Sequence, residues 1–140
     1  MKILFLCAAN VFRSQMAEAF FNTLTKKHEA RSAALIMPQD RIPEFIIKAM
    51  AEEGIDVSNN KSKKINKDLV QQADIVILMH ENLKKDFEPY KFNLKNGAEV
   101  KMWSIRDIIV SNKDNGRYPE FIKARNLIKE KVINLLNSLD

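Results

Sequence analysis

The sequence predicts an α/β fold, a three-layer sandwich with a four-stranded parallel sheet between helices. Three observations carry this: four stretches of strand length, two of them continuous apolar runs, helix-period stretches between them, and a length of 140 residues, which suits a single domain over 1–140. Strands that alternate with helices imply βαβ units with right-handed crossovers. Ligands of such sheets bind beyond the carboxyl ends of the strands, near the point where strand order reverses.

Residues 2–6 form a continuous apolar run, the pattern of a strand buried on both faces. From Ser14 onward Met16, Ala17, Phe20, Phe21 and Leu24 recur at helical spacing, with Gln15, Glu18 and Asn22 on the opposite side. A second strand is expected over 31–36. Pro43 can then open a helix and Gly54 close it, around Phe45, Ile46, Ala49 and Met50. Residues 56–64 are polar and basic and read as a loop, followed by a weaker helical stretch over 66–73. The run 75–79 is the clearest strand signal in the chain and is expected to be central. A short helix over 81–87 and a turn at Asn96-Gly97 lead to a strand over 99–103 with one face more polar. Residues 120–139 carry Ile122, Leu127, Ile128, Val132, Leu135, Leu136 and Leu139, a long amphipathic helix.

Composition bounds the function. A hydrophobic share of 46% with only 3 Gly and 4 Pro describes a chain that buries a full core, which excludes collagen-like and low-complexity classes. The net charge of +5 favours anionic ligands. With 1 Cys the chain can form no internal disulfide, no Cys-x-x-Cys redox pair and no multi-thiolate zinc site, so a reducing, cytoplasmic setting is expected. Lys2 and the apolar residues after it are at the short limit for a secretory signal, lack a convincing Ala-x-Ala cleavage site and lead into Asn10 and Arg13, so no such signal is expected. No stretch approaches the roughly 18 apolar residues that span a bilayer, and no membrane association is expected.

The loop after the first strand reads Cys7-Ala8-Ala9-Asn10-Val11-Phe12-Arg13-Ser14, a cysteine, five residues, an arginine and a hydroxyl, ahead of a helix. A loop of this length can curl its N–H groups inward as an anion nest, and the helix N-terminus adds partial positive charge. A tetrahedral dianion fits such a concavity. Arg13 would offer two parallel N–H donors to phosphate oxygens, a geometry that lysine lacks. The same positive field favours thiolate over thiol, which makes Cys7 a candidate nucleophile, with Ser14 placed to hydrogen-bond the sulfur.

At these residues the chain resembles the low-molecular-weight protein tyrosine phosphatase family, whose loop runs Cys-x-Gly-Asn-x-x-Arg-Ser/Thr after the first strand. The resemblance extends through Ser32-Ala33, the stretch 53–58 and the block 73–79. It implies a phosphotyrosine protein phosphatase I-like fold and two-step phosphomonoester hydrolysis through phosphocysteine, without metal or cofactor. Cys7 would attack, and Arg13 with the loop amides would hold the oxyanion. By the same resemblance Asp107, at the end of Trp103-Ser104-Ile105-Arg106-Asp107, would be the general acid, although Asp114 lies close enough to compete. Implied substrates are phosphorylated proteins or small aryl phosphates, with inorganic phosphate or other oxyanions as further ligands.

Four departures from the family pattern bear on this. Ala9 stands in place of Gly, where a positive φ would make its methyl crowd the backbone. Phe12 replaces a second cysteine that in many relatives protects the nucleophile by a disulfide. Ile108 replaces the proline after the acid, and Ile108-Ile109 stands where the family has paired tyrosines. The related thioredoxin-linked arsenate reductases pass oxidation along two further cysteines, a relay that one thiol cannot support. An arsenate reductase using an external thiol and a catalytically silent phospho-ligand module stay open as alternatives.

The other motifs read plainly. His28 and His80 have no partner at metal-ligand spacing and read as solvent-facing or satisfied. Lys61, Lys63, Lys64 and Lys67 lack interleaved aromatics and read as a solvated face rather than a nucleic-acid surface. Met16, Met37, Met50, Met79 and Met102 read as core filler, and Trp103 as packed beneath the site.

Overall fold

A computed structural model describes residues 1–108 and 116–140. Asp114 and Ile109 lie outside the described residues. Four strands, β1 (Lys2–Cys7), β2 (Glu29–Ala34), β3 (Ile75–Leu78) and β4 (Glu99–Met102), pair in parallel in the order β2-β1-β3-β4. Five helices complete the α/β sandwich: α1 (Arg13–Leu24), α2 (Glu44–Ala51), α3 (Lys67–Gln72), α4 (Lys84–Phe87) and α5 (Tyr118–Leu139). Short 3-10 turns over Glu81–Leu83 and Glu88–Asn93 flank α4.

The apolar runs explain the sheet. Ile3 to Cys7 of β1 and all of β3 are buried, as two inner strands covered on both faces must be. The chain leaves β1 for β2 on one side and returns through β3 on the other, so the strand order reverses beside β1. The loop after Cys7 therefore opens at the switch point of the sheet. Phe5 sets its ring against Phe21 of α1 and, with centroids 5.4 Å apart, against Trp103, which places the tryptophan under the sheet end.

Several expectations shift. Strand β2 begins two residues earlier than its apolar run, at Glu29, because its register follows β1 from Lys2↔Glu29 to Cys7↔Ala34. The apolar Leu35 and Ile36 continue past the ladder, and their N–H groups bond Cys7 O and Ala8 O instead. Strand β4 is an edge strand with only β3 as neighbour in the sheet, and the face that carries Val100 and Met102 is open to solvent, at 38% and 46% accessible. Met102 and Met37, at 68%, are thus surface residues, whereas Met16, Met50 and Met79 lie in the core. Gln15 is buried rather than on the outer side of α1.

Candidate active site

Around the switch point the loop is held from outside by its own carbonyls. Ala8 O accepts from Ile36 N and Met37 N, at 3.0 and 3.2 Å, so this peptide faces its oxygen toward the chain that leaves β2. A planar trans peptide points its N–H opposite to its C=O. The N–H of Ala9 therefore turns to the other side, where Cys7, the loop residues 8–13, Gln39, Asp107 and Ile108 enclose a hollow of about 210 Å³.

Asn10 fixes the inner geometry. Its φ of 59° is the left-handed conformation that asparagine tolerates better than most residues, and among the described residues it is the one non-glycine there. The strain expected at Ala9 does not arise, because the positive φ falls one residue later. Asn10 Oδ1 accepts from the backbone N–H of Lys63 at 3.0 Å and from Gln15 Nε2 at 3.2 Å. A backbone amide can only donate, which fixes which end of the Asn10 side chain is oxygen. Its Nδ2 accordingly donates to Ser14 Oγ at 2.8 Å and Ser32 Oγ at 3.0 Å.

That order propagates to the sulfur. Ser14 Oγ accepts from Asn10, so its single hydrogen is free for Cys7 Sγ, 2.9 Å away. Ser32 likewise passes its hydrogen to Glu18 Oε1 at 2.7 Å. Burial pushes the Glu18 carboxyl above its ordinary range, and the positive charge of Lys63 partly offsets this. Gln15 completes the brace by donating to Lys61 O and accepting from Asn60 Nδ2. These bonds account for its burial.

Arg13 closes the loop. It is almost wholly buried, and Nη1 donates to Ile105 O at 3.0 Å while Nη2 stands 3.5 Å from Asp107 Oδ2. The guanidinium thus ties the loop after β1 to the segment carrying Asp107. Asp107 is 55% accessible at its side chain, open to solvent at the mouth of the hollow. Ile108, in the proline position of the family pattern, is buried and lines the same hollow. Phe12 meets Phe121 edge-on at 4.8 Å, and Phe121 meets Phe45 at 4.9 Å, so the residue in the second-cysteine position anchors the loop to α5 and α2.

Cys7, Arg13 and Asp107 therefore come together around one hollow. The sequence pattern of the family described as low molecular weight phosphotyrosine protein phosphatase matches residues 2–140. The chain belongs to that family. Among relatives of this phosphatase-family chain, arsenate reductase 1 of Staphylococcus epidermidis is 40% identical over 78 residues, 55% of this chain and 58% of that one. Over that relative the match spans little more than half its length. A low molecular weight protein tyrosine phosphatase from T. tengcongensis superposes with a TM-score of 0.79 at 23% identity, over 99% of both chains. An arsenate reductase in its phosphate-binding state superposes at 0.72 with 29% identity, over 99% and 98%. The fold is thus common to phosphatases and arsenate reductases.

Some neighbours of the site carry little sequence signal. Gln39 lies on a polar loop, and Gln15 sits at an apparently outward helical position; only the tertiary contacts bring them to the hollow and to Asn10. His80 Nδ1 accepts from Asn82 N and caps a turn, and His28 Nε2 stands 3.1 Å from Asp140, so both histidines are satisfied. Among the described residues no helix is long and apolar enough to cross a membrane.

Proposed function

We propose that the protein is a phosphomonoester hydrolase, a protein tyrosine phosphatase that works through phosphocysteine in the cytoplasm. The observation that carries the reading is the convergence of a hydrogen-bonded thiol, a buried guanidinium and an accessible carboxylate on one hollow at the switch point. Cys7 Sγ attacks phosphorus, and the bond to the leaving oxygen breaks as Asp107 delivers a proton to it. Arg13 and the loop N–H groups balance the charge of the equatorial oxygens. Water then attacks the phosphocysteine, Asp107 takes its proton, the S–P bond breaks and phosphate leaves. Aryl phosphates fit best, because a phenolic oxygen is a good leaving group and the hollow is set below the surface. Family membership supports this reading, and the phosphate-binding state of a 29% identical neighbour supports an oxyanion as ligand.

The test is turnover of phosphotyrosine peptides in excess chelator. We expect hydrolysis by the parent, near-complete loss in Cys7→Ser and a loss of about 100-fold or more in Arg13→Ala. No turnover by the parent would overturn the hydrolase reading.

A second reading is arsenate reduction, favoured by the 40% identical relative named as an arsenate reductase. With 1 Cys, the two electrons that reduce arsenate to arsenite would have to come from Cys7 and an external thiol, which end as a mixed disulfide. Arsenate-dependent oxidation of added thiol, with no phosphatase turnover, would establish it. Tight phosphate binding without either reaction would identify a silent phospho-ligand module.

A further inference from the structure

The basic loop expected over 56–64 ends in a stretch, 60–64, whose contacts run to the loop after β1 and to the end of β2. Lys63 O accepts from Ala34 N, and Lys64 pairs with Ala34 as an isolated parallel bridge. Lys64 Nζ donates to Leu35 O and Ile36 O at 2.8 and 2.7 Å. The segment is a strap that runs beside the end of β2. At its centre Ser62 Oγ lies 2.7 Å from Ala9 O and 3.0 Å from Gln39 N.

Chemistry fixes the direction of both bonds. A carbonyl only accepts and a backbone amide only donates, so the hydroxyl gives its hydrogen to Ala9 O and receives one from Gln39. Holding Ala9 O outward turns the N–H of the same trans peptide, that of Asn10, to the opposite side, where the loop lines the hollow. The second bond holds the backbone of Gln39, a residue outside the loop that also lines the hollow. One hydroxyl thus joins two walls of the hollow.

We infer that Ser62 is a positioning residue for oxyanion binding: it aims the Asn10 N–H at the anion and sets the Gln39 wall against the loop. The inference rests on the reading of 7–13 as an oxyanion cradle and goes beyond it by assigning a role to a residue outside that loop.

The experiment measures inorganic phosphate affinity by calorimetry for the parent, Ser62→Ala and Ser62→Thr, with phosphate-induced 15N amide shifts and steady-state kinetics on an aryl phosphate. Melting curves establish that each variant is folded. Loss of a net neutral hydrogen bond at the loop predicts phosphate affinity about 3- to 10-fold weaker in Ser62→Ala. Affinity returns to within about 2-fold in Ser62→Thr, which keeps the hydroxyl. The phosphate-induced shift of the Asn10 amide shrinks in Ser62→Ala and recovers in Ser62→Thr, and the aryl phosphate KM rises in step with the phosphate Kd. Parent-like phosphate affinity in folded Ser62→Ala, or an unchanged Asn10 shift, would overturn the inference while leaving the hydrolase reading intact. A parent that binds phosphate without turnover would overturn the hydrolase reading alone, and one that binds no phosphate would overturn both.

Discussion

Phe12 stands in the second-cysteine position of the family pattern, and its ring joins the loop after β1 to Phe121 and through it to Phe45. It is 2% exposed, so truncation would leave a cavity at the base of the loop. We expect Phe12→Ala to cost about 3–5 kcal/mol in a denaturant titration, the range for a buried phenylalanine. At the mouth, Asp107 is accessible and within reach of Arg13, which suits the proton transfers proposed for it. Asp107→Asn should slow phosphotyrosine turnover by about 100-fold or more, and slow an activated nitrophenyl phosphate far less, since that leaving group needs little protonation. Equal losses on both substrates would remove the acid role. The meeting of Cys7, Arg13 and Ser14 was legible because all three fall on one short stretch, 7–14, between a strand and a helix. Gln15 and Gln39 were not, because a polar side chain on a helix or loop shows its use only when its partners arrive from distant parts of the chain.

Elements follow the sequence wherever burial alone decides them. The inner strands β3 and, after Lys2, β1 are apolar runs and were readable at once, whereas β2 starts at Glu29 because pairing with β1 overrides its local pattern. Helix α2 spans 8 residues and is too short to persist by itself. Its end is held from α5: Arg125 Nη1 donates to Ala49 O and to Glu52 Oε1, both at 2.9 Å, and the residue is 8% exposed. Nearby, Lys129 bonds Glu53 Oε1, also at 2.9 Å, with the lysine 43% accessible. The two contacts differ in solvent screening. Arg125→Ala should lower stability by about 1.5–3 kcal/mol, the range for a hydrogen bond to a charged group, whereas Lys129→Ala should cost about 1 kcal/mol or less. Thermal or urea unfolding of the two variants side by side checks the order.

For the whole molecule, the parallel sheet was legible because strands that alternate with helices imply βαβ units, whereas the order β2-β1-β3-β4, which sets the switch point, comes from the strand pairing. Its electrostatics was not, since sequence shows a charge but not its burial. Two carboxyls illustrate the gap by pulling stability in opposite directions with pH. Burial raises Glu18 above its ordinary 4.5, so its contribution is fully present below that value and is lost as pH rises through the higher folded value. Asp74 is held below its ordinary 3.8, first by its hydrogen bond to Lys95 and then by the Lys2 N–H. Its contribution is present above 3.8 and is lost as pH falls through the lower folded value. Glu18→Gln removes the first titration while keeping an oxygen for Ser32, so its melting temperature relative to the parent should climb as pH goes from 4 to 7. Asp74→Asn removes the second, and its deficit against the parent should be largest near neutral pH and shrink as the medium is acidified below pH 4. Thermal melts across this range decide both: a flat Glu18→Gln difference would mean that the carboxyl titrates alike in folded and unfolded chains, and that its place behind Asn10 and Ser32 costs the fold nothing when charged.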